Sequence, residues 1–188
     1  MKGALIVVGV LVLLGLLLFM PLMSSRNQLV AEREAVTVQW SQVENVMQRR
    51  ADLIPNLVET VKGFAKQEQS VIDSVTKARA ALGGARTPED KIAANDQLSS
   101  AISRLLIVNE NYPQLTSNDN YKTLMTELSG TENRMTQERR KYNEVLKTYN
   151  TDIQLFPKNI AASMFGFQRN DAYFKAESGA KEVPKVKF

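Results

Sequence analysis

A chain of 188 residues is long enough for one domain with an appendage. It contains no cysteine and no histidine, which removes disulfides, thiolate nucleophiles, Cys/His zinc sites and imidazole acid–base chemistry together. The net charge of +4 is spread over 24 basic and 20 acidic residues, with no basic stripe beyond Arg49-Arg50 and Arg139-Arg140-Lys141, so nucleic acid is not an expected partner.

Ala4 to Met23 is an uncharged apolar run that spans about 30 Å as a helix, the thickness of a bilayer core. A buried core helix would show a polar face, and this one has none. A cleaved signal peptide would have a shorter apolar run ending in a small-x-small site, which Leu22-Met23-Ser24-Ser25 does not supply. The run is therefore read as an uncleaved single-pass anchor, residues 1–24, in a bacterial inner membrane. Counting Lys2 and the amino terminus against Arg26 and Arg33 leaves the two flanks nearly even. The short basic start favours the N-terminus inside and the bulk of the chain on the extracytoplasmic side.

From Val36 the apolar residues recur in alternating steps of four and three through Trp40, Val43, Met47, Arg50, Ile54, Leu57, Val61, Phe64, Glu68, Val71, Val75, Ala78 and Leu82. This coiled-coil-like seam predicts one long helix from about Ser25 to Leu82, stopped by Gly83-Gly84. Pro55 has no N–H and its ring crowds the carbonyl of Ala51, which predicts a kink. Thr87-Pro88-Glu89-Asp90 opens a second helix that ends at Tyr112-Pro113, and Ser117-Asn118-Asp119-Asn120 caps a third. The third seam runs Tyr121, Met125, Leu128, Glu132, Met135, Arg139, Tyr142, Leu146, Tyr149, Ile153 and Phe156. A short helix over Asn159 to Phe165 closes at Gly166, and Val183 to Phe188 is expected to be extended. The fold class is all-α: a transmembrane helix followed by an antiparallel bundle of three long helices and a short C-terminal one. Residues 25–167 form the bundle and 168–188 the tail. In an up-down-up arrangement the first and third long helices would run parallel, with the Gly83 to Arg86 loop at the end far from the anchor.

The block Trp40-x-x-Val43-Glu44, then Gln48-Arg49-Arg50-x-Asp52-Leu53-Ile54-Pro55-Asn56-Leu57-Val58-x-Thr60-Val61-Lys62-Gly63-x-Ala65, strongly resembles the LemA family of bacterial membrane proteins. The resemblance continues through Ala78-Arg79, Glu110-x-Tyr112-Pro113-x-Leu115, Gly130 to Arg134, Arg140-x-Tyr142-Asn143, Tyr149-Asn150, Phe156-Pro157, Gly166-Phe167 and Pro184-x-Val186-x-Phe188. It implies a single N-terminal transmembrane segment and a helical bundle, and it suggests a membrane protease or quality-control machine as a docking partner. It implies no activity. The family often carries Tyr and His where this chain has Phe64 and Gln67, so no metal or proton chemistry through that His operates here.

Trp40, Arg49, Arg50, Asp52, Pro55, Asn56 and Gly63 are candidate contact or hinge positions. Arg50 on the seam either snorkels to water or pairs with a buried carboxylate. Glu68, Glu132, Arg134 and Arg139 raise the same question; with the long helices parallel, Glu68 would meet Arg134 or Arg139. Pro55 and Gly63 are either a hinge with a close helix approach or tolerated irregularities. Tyr121, Tyr142 and Tyr149 read as core aromatics. Glu59 and Lys62 form an ordinary i,i+3 pair. Ser99, Ser100 and Ser103 have no base near them, and Gly83 to Thr87 lacks a phosphate-loop pattern. No catalytic residue, metal ligand, cofactor or small-molecule substrate is expected. The expected function is a non-enzymatic scaffold or adaptor that self-associates or docks a membrane protein, because the first helix as read is longer than the rest of the bundle can cover. The alternative is a membrane-surface or lipid-binding module using Arg49-Arg50 and Asn159 to Phe167.

Overall fold

The computed structural model describes residues 2–65 and 67–175. Their regular structure is entirely helical: α1 (Lys2–Phe64), α2 (Gln69–Gly84), α3 (Pro88–Asn109), α4 (Pro113–Ser117), α5 (Asp119–Asp152) and α6 (Lys158–Phe165). The all-α class is as expected, with helices packing antiparallel behind a long apolar N-terminal helix. The extended segment expected from Val183 lies outside the described residues. The chain divides into two compact units, Met1–Val43 with Arg140–Asp171, and Glu44–Arg139 with the segment from Ala172. Both α1 and α5 run through the two.

In the first unit α1 begins with the apolar run, whose Leu5, Ile6, Leu11, Phe19 and Met20 are exposed. Among the described residues α1 alone is long and apolar enough to cross a membrane. Beyond the run the periodic positions Leu29, Val36 and Val43 are buried, as are Tyr142, Leu146 and Tyr149 of α5. The Trp40 and Tyr142 rings meet at 5.2 Å between centroids. α5 runs antiparallel to α1 here, since Trp40 meets Tyr142 while Glu32 meets Lys158 beyond the end of α5. Behind α6, Ala161 and Ala162 pack with Leu29 into a small core edged by Leu22, Ile153 and Phe167. Gly166, at φ 72°, ends α6 in the left-handed conformation that glycine adopts without strain. The chain then returns along α5. Buried Asn150 donates from Nδ2 to the carbonyl of Asn170 and accepts its N–H at 3.0 Å, and the Tyr149 hydroxyl donates to the Gln168 carbonyl at 2.8 Å.

In the second unit α1, α2, α3 and the first part of α5 pack around Met47, Ile54, Leu57, Val61, Ile72, Val75, Leu98, Leu105, Leu128 and Met135. Thr87 caps α3 by accepting the Asp90 N–H at 3.1 Å, and Asn118 caps α5 by accepting the Tyr121 N–H at 3.0 Å. α3 runs in the direction of α1, with Lys91 against Glu44 and Ser99 against Arg50.

Three expectations are corrected. The first helix does not continue to Leu82: it ends at Phe64, turns through Ala65 to Glu68, and α2 returns antiparallel, so that Arg79 reaches Ala51. The four-three spacing stays in phase through this turn without marking a continuous face. Phe64 is exposed, and α2 buries Ile72 instead of Val71, while Val75, Ala78 and Leu82 are buried as the spacing has them. Gly63 weakens the last turn of α1, and α2 gains stability by folding its apolar face back onto neighbours instead of standing alone. Gly83 to Thr87 is accordingly the second reversal, not the first. The two longest helices run antiparallel, not parallel. Finally, the part of α1 just beyond the apolar run is not left uncovered, because α5 packs on it with Tyr142 against Trp40.

A three-charge cluster ties the end of α5 to α1. Lys158 Nζ donates to Glu32 Oε1 at 3.1 Å and also to Asp152 Oδ2, with all three side chains largely buried. Burial and the neighbouring Asp152 raise the Glu32 carboxyl above its ordinary value, whereas the hydrogen bond from Lys158 lowers that of Asp152. The folded chain therefore takes up the Glu32 proton before the unfolded chain does, so acidification through that range favours folding. The Asp152 contribution is present above the ordinary aspartate range and is lost as pH falls through its depressed folded value. Asp152→Asn should lower stability at neutral pH by about 1–3 kcal/mol, whereas Glu32→Gln, which mimics the protonated form that the fold favours, should change it little. Thermal melts of the detergent-solubilised protein at several pH values check this: wild type should gain on Glu32→Gln as pH falls below neutral.

Candidate functional site

The resembling block lies on the last turns of α1, and one backbone defect organises it. In a helix the N–H of residue 55 would bond to the carbonyl of residue 51. Pro55 has no N–H, so the Ala51 carbonyl loses its partner within the helix. Arg79 supplies one from α2: its Nε–H donates to Ala51 O at 2.9 Å. Val75, Ala78 and Leu82 bury one face of α2, which sets Arg79 on the rim beside α1. The helix runs unbroken through Pro55, so the kink expected there is not a break, and the chain reverses ten residues later.

Arg50, one residue earlier, points the other way. It is only 4% exposed, which decides for a buried partner over snorkelling. Its Nη1 donates to Ser99 Oγ at 2.9 Å and lies 2.8 Å from Glu132 Oε2. Glu132 Oε2 has no aligned hydrogen bond, so this contact is an ion pair by proximity. Ser99 Oγ in turn donates to the Asn95 carbonyl one turn back at 3.1 Å. Arg139 Nη2 donates to Asp96 Oδ1 at 3.0 Å, and its guanidinium sits 4.9 Å from the centre of the Phe174 ring. Burial pushes the Arg50 guanidinium down from its ordinary value; Glu132 and Asp96 push it back up, and Arg139 adds to the lowering. Two arginines and two carboxylates thus form a balanced polar layer across the helices. Asn95, fully buried in the same turn of α3, has neither side-chain atom hydrogen bonded.

The remaining candidates are dispersed. Glu68 accepts the Tyr112 hydroxyl at 3.1 Å, a bond that raises the phenol above its ordinary value, while Arg134 is exposed on α5; neither is brought to the other. Arg49, Asp52, Pro55 and Asn56 are exposed, and Asp52 accepts from Gln48 Nε2 at 2.8 Å. Gly63 is not a close-approach position, since an added Cβ would meet nothing within 4 Å. Trp40 lies in the first unit against Tyr142. What sequence reading missed is the work of Arg79, Asn95, Asp96 and Ser99. Pro55 signals an orphaned carbonyl at Ala51, but its donor is found only once α2 is known to fold back.

Beside the Arg79 strap, α1, α2 and the start of α3 leave an open groove of about 480 Å³, lined by Glu44, Gln48, Ala51, Arg79, Leu82 and Lys91. Its charged groups are committed to fixed geometry: Lys91 to Glu44, Gln48 to Asp52, Arg79 to a backbone carbonyl. The Ser99 hydroxyl is held between Arg50 and a carbonyl with no base to activate it. Such a surface can recognise a shape.

The profile of the LemA family matches residues 39–188. Magnetosome proteins MamQ 2 and MamQ 1 of Paramagnetospirillum magneticum strain AMB-1 are each 28% identical to this chain over 186 residues, covering 85% of it and 68% of their own length. Magnetosome protein MamQ of Magnetospirillum gryphiswaldense strain MSR-1 is 26% identical over 179 residues, covering 81% of this chain and 66% of its own.

Arg79→Ala, which leaves the Ala51 carbonyl to water, should cost about 0.5–1.5 kcal/mol. Restoring an intrahelical donor with Pro55→Ala should recover most of that loss, so denaturant titrations of the four-member double-mutant cycle should give a coupling of at least about 0.5 kcal/mol. Arg50→Ala, which strips both Ser99 and Glu132 of their partner, should cost about 2–4 kcal/mol, against less than about 0.5 kcal/mol for exposed Arg49→Ala.

Proposed function

The chain belongs to the LemA family, and on that premise we propose that it is a non-enzymatic scaffold. It crosses a bacterial inner membrane once, through Ala4 to Met23, with the bulk of the chain on the extracytoplasmic side. It docks a segment of a membrane protein in the groove beside the Arg79 strap. The observation that carries this reading is the use made of the block residues. Arg50 and Arg79 are spent on holding helices together, and what they leave facing outward is a pre-shaped groove on a rigid helix. Groove walls built on helices hold their geometry better than loops do, which suits recognition of a partner. Nothing in the charge arrangement supplies a nucleophile with its base. Beyond the apolar run α5 packs on the first helix, so the groove and not an uncovered helix is the surface offered to a partner. The role considered for Arg50 at a lipid surface falls, because its guanidinium is buried.

A chain without cysteine allows a direct test. Gln48→Cys and Ala80→Cys on the groove, with exposed Glu127→Cys as control, would be treated in spheroplasts with a membrane-impermeant thiol-reactive crosslinker. The expected result is labelling from outside and one discrete adduct from both groove positions but not from Glu127. An adduct of twice the chain mass assigns the groove to self-association. Labelling only by a permeant reagent contradicts the orientation, and absence of any adduct contradicts docking.

A further inference from the structure

The strongest unassigned surface is the outer face of α6 with the turn before it. Leu155, Phe156, Ile160, Met164 and Phe165 are exposed by 55, 80, 47, 64 and 40%. Outside the N-terminal apolar run, the other exposed large apolar residues among the described ones are Val38, Phe64 and the pair Leu106 and Ile107. Scattered exposure of that kind is normal, whereas a contiguous apolar patch calls for a partner. Ile160 and Met164 share one helical face, one turn apart, opposite the buried Ala162.

The place of α6 on α1 identifies that partner. Leu22, the penultimate residue of the apolar run, packs against the Ala161 and Ala162 core. Three residues past the run, the Arg26 guanidinium lies 5.4 Å from the Phe165 ring centre, and Arg33 lies 5.2 Å from that of Phe167. Three residues of helix rise about 4.5 Å, within the headgroup layer that borders the hydrocarbon core. Charge is kept off the outer face: Lys158 turns inward to Glu32 and Asp152.

The geometry points to α6 and residues 155–156 as an interfacial collar, seated among lipid headgroups with Phe156, Ile160 and Met164 reaching the acyl boundary. This rests on α1 spanning the bilayer at Ala4 to Met23. The collar fixes how α1 leaves the membrane, because the same α6 is clamped to α1 through Lys158 and Ala161. Its affinity is apolar, so it needs no anionic lipid and resists salt. Arg26, stacked on Phe165, stays at the level of the phosphates, while Arg33, seven residues farther along α1, holds Phe167 on the aqueous side of it.

Single cysteines at Phe156, Ile160, Met164, Leu13 and Glu127 of the full chain would be spin-labelled in nanodiscs of phosphatidylcholine, with and without phosphatidylglycerol. Accessibility to oxygen and to a water-soluble nickel chelate would then be measured. The oxygen-to-nickel ratio at the three α6 sites should exceed that at Glu127 several-fold, approach that at Leu13, and be insensitive to salt and to phosphatidylglycerol. Ratios at α6 equal to Glu127, with Leu13 in lipid, overturn the collar and leave the span standing. Exclusion of both reagents at α6 means protein covers it, which also overturns the proposal. A water-like Leu13 removes the span and the collar with it.

Discussion

The structure of the second unit depends on a carbonyl that its own helix cannot satisfy. Pro55 deprives Ala51 of its donor within the helix, and the bond that replaces it comes from another helix. A donor from outside must come to it, and Arg79 can do so only if the chain reverses between Phe64 and Gln69 and brings α2 back along α1. The Arg79 bond holds the hairpin, together with the buried Ile72, Val75, Ala78 and Leu82 face of α2. It also explains why a proline sits in α1 without breaking it: the lost bond is replaced, not abandoned.

The hairpin sets the rest of that unit. With α2 folded back, α3 runs beside α1 and presents Ser99 to Arg50, and α5 brings Glu132 and Arg139 to the same level. A buried arginine is costly on its own and tolerable among two carboxylates and a hydroxyl. Such layers act as registers, because a helix sliding by one turn would leave Arg50 and Arg139 facing apolar neighbours. The first unit uses the same device near the apolar run, where Lys158 holds Glu32 and Asp152 together.

Much of this was legible in the residues. The apolar run, the caps at Thr87 and Asn118, the glycine stop at Gly166 and the seam of α5 are local signals, and each produced its element. The course of α1 was not legible, because spacing alone records which residues can be buried and not whether the chain turns between them. Phe64 and Glu68 kept the four-three rhythm across a turn that contains no proline and no Asn-Gly pair. That one error propagated: a helix read as continuous made α5 parallel to α1, sent Glu68 toward Arg134 or Arg139, and left α1 without cover. Arg50 was recognised as unusual from its seam position, but Asn95, Asp96 and Ser99 carry no signature apart from the fold that gathers them. Arg79 entered only through family resemblance, though Pro55 states the need for it.

The claim that Arg79 replaces the missing proline donor can be observed directly. Through-hydrogen-bond scalar coupling, measured by NMR on isotope-labelled protein in detergent micelles, should show a correlation between the Arg79 Nε and the Ala51 carbonyl carbon, with the Arg79 Nε proton exchanging slowly with water. An Arg79 Nε proton exchanging as fast as that of exposed Arg49, with no correlation to Ala51, would contradict the account.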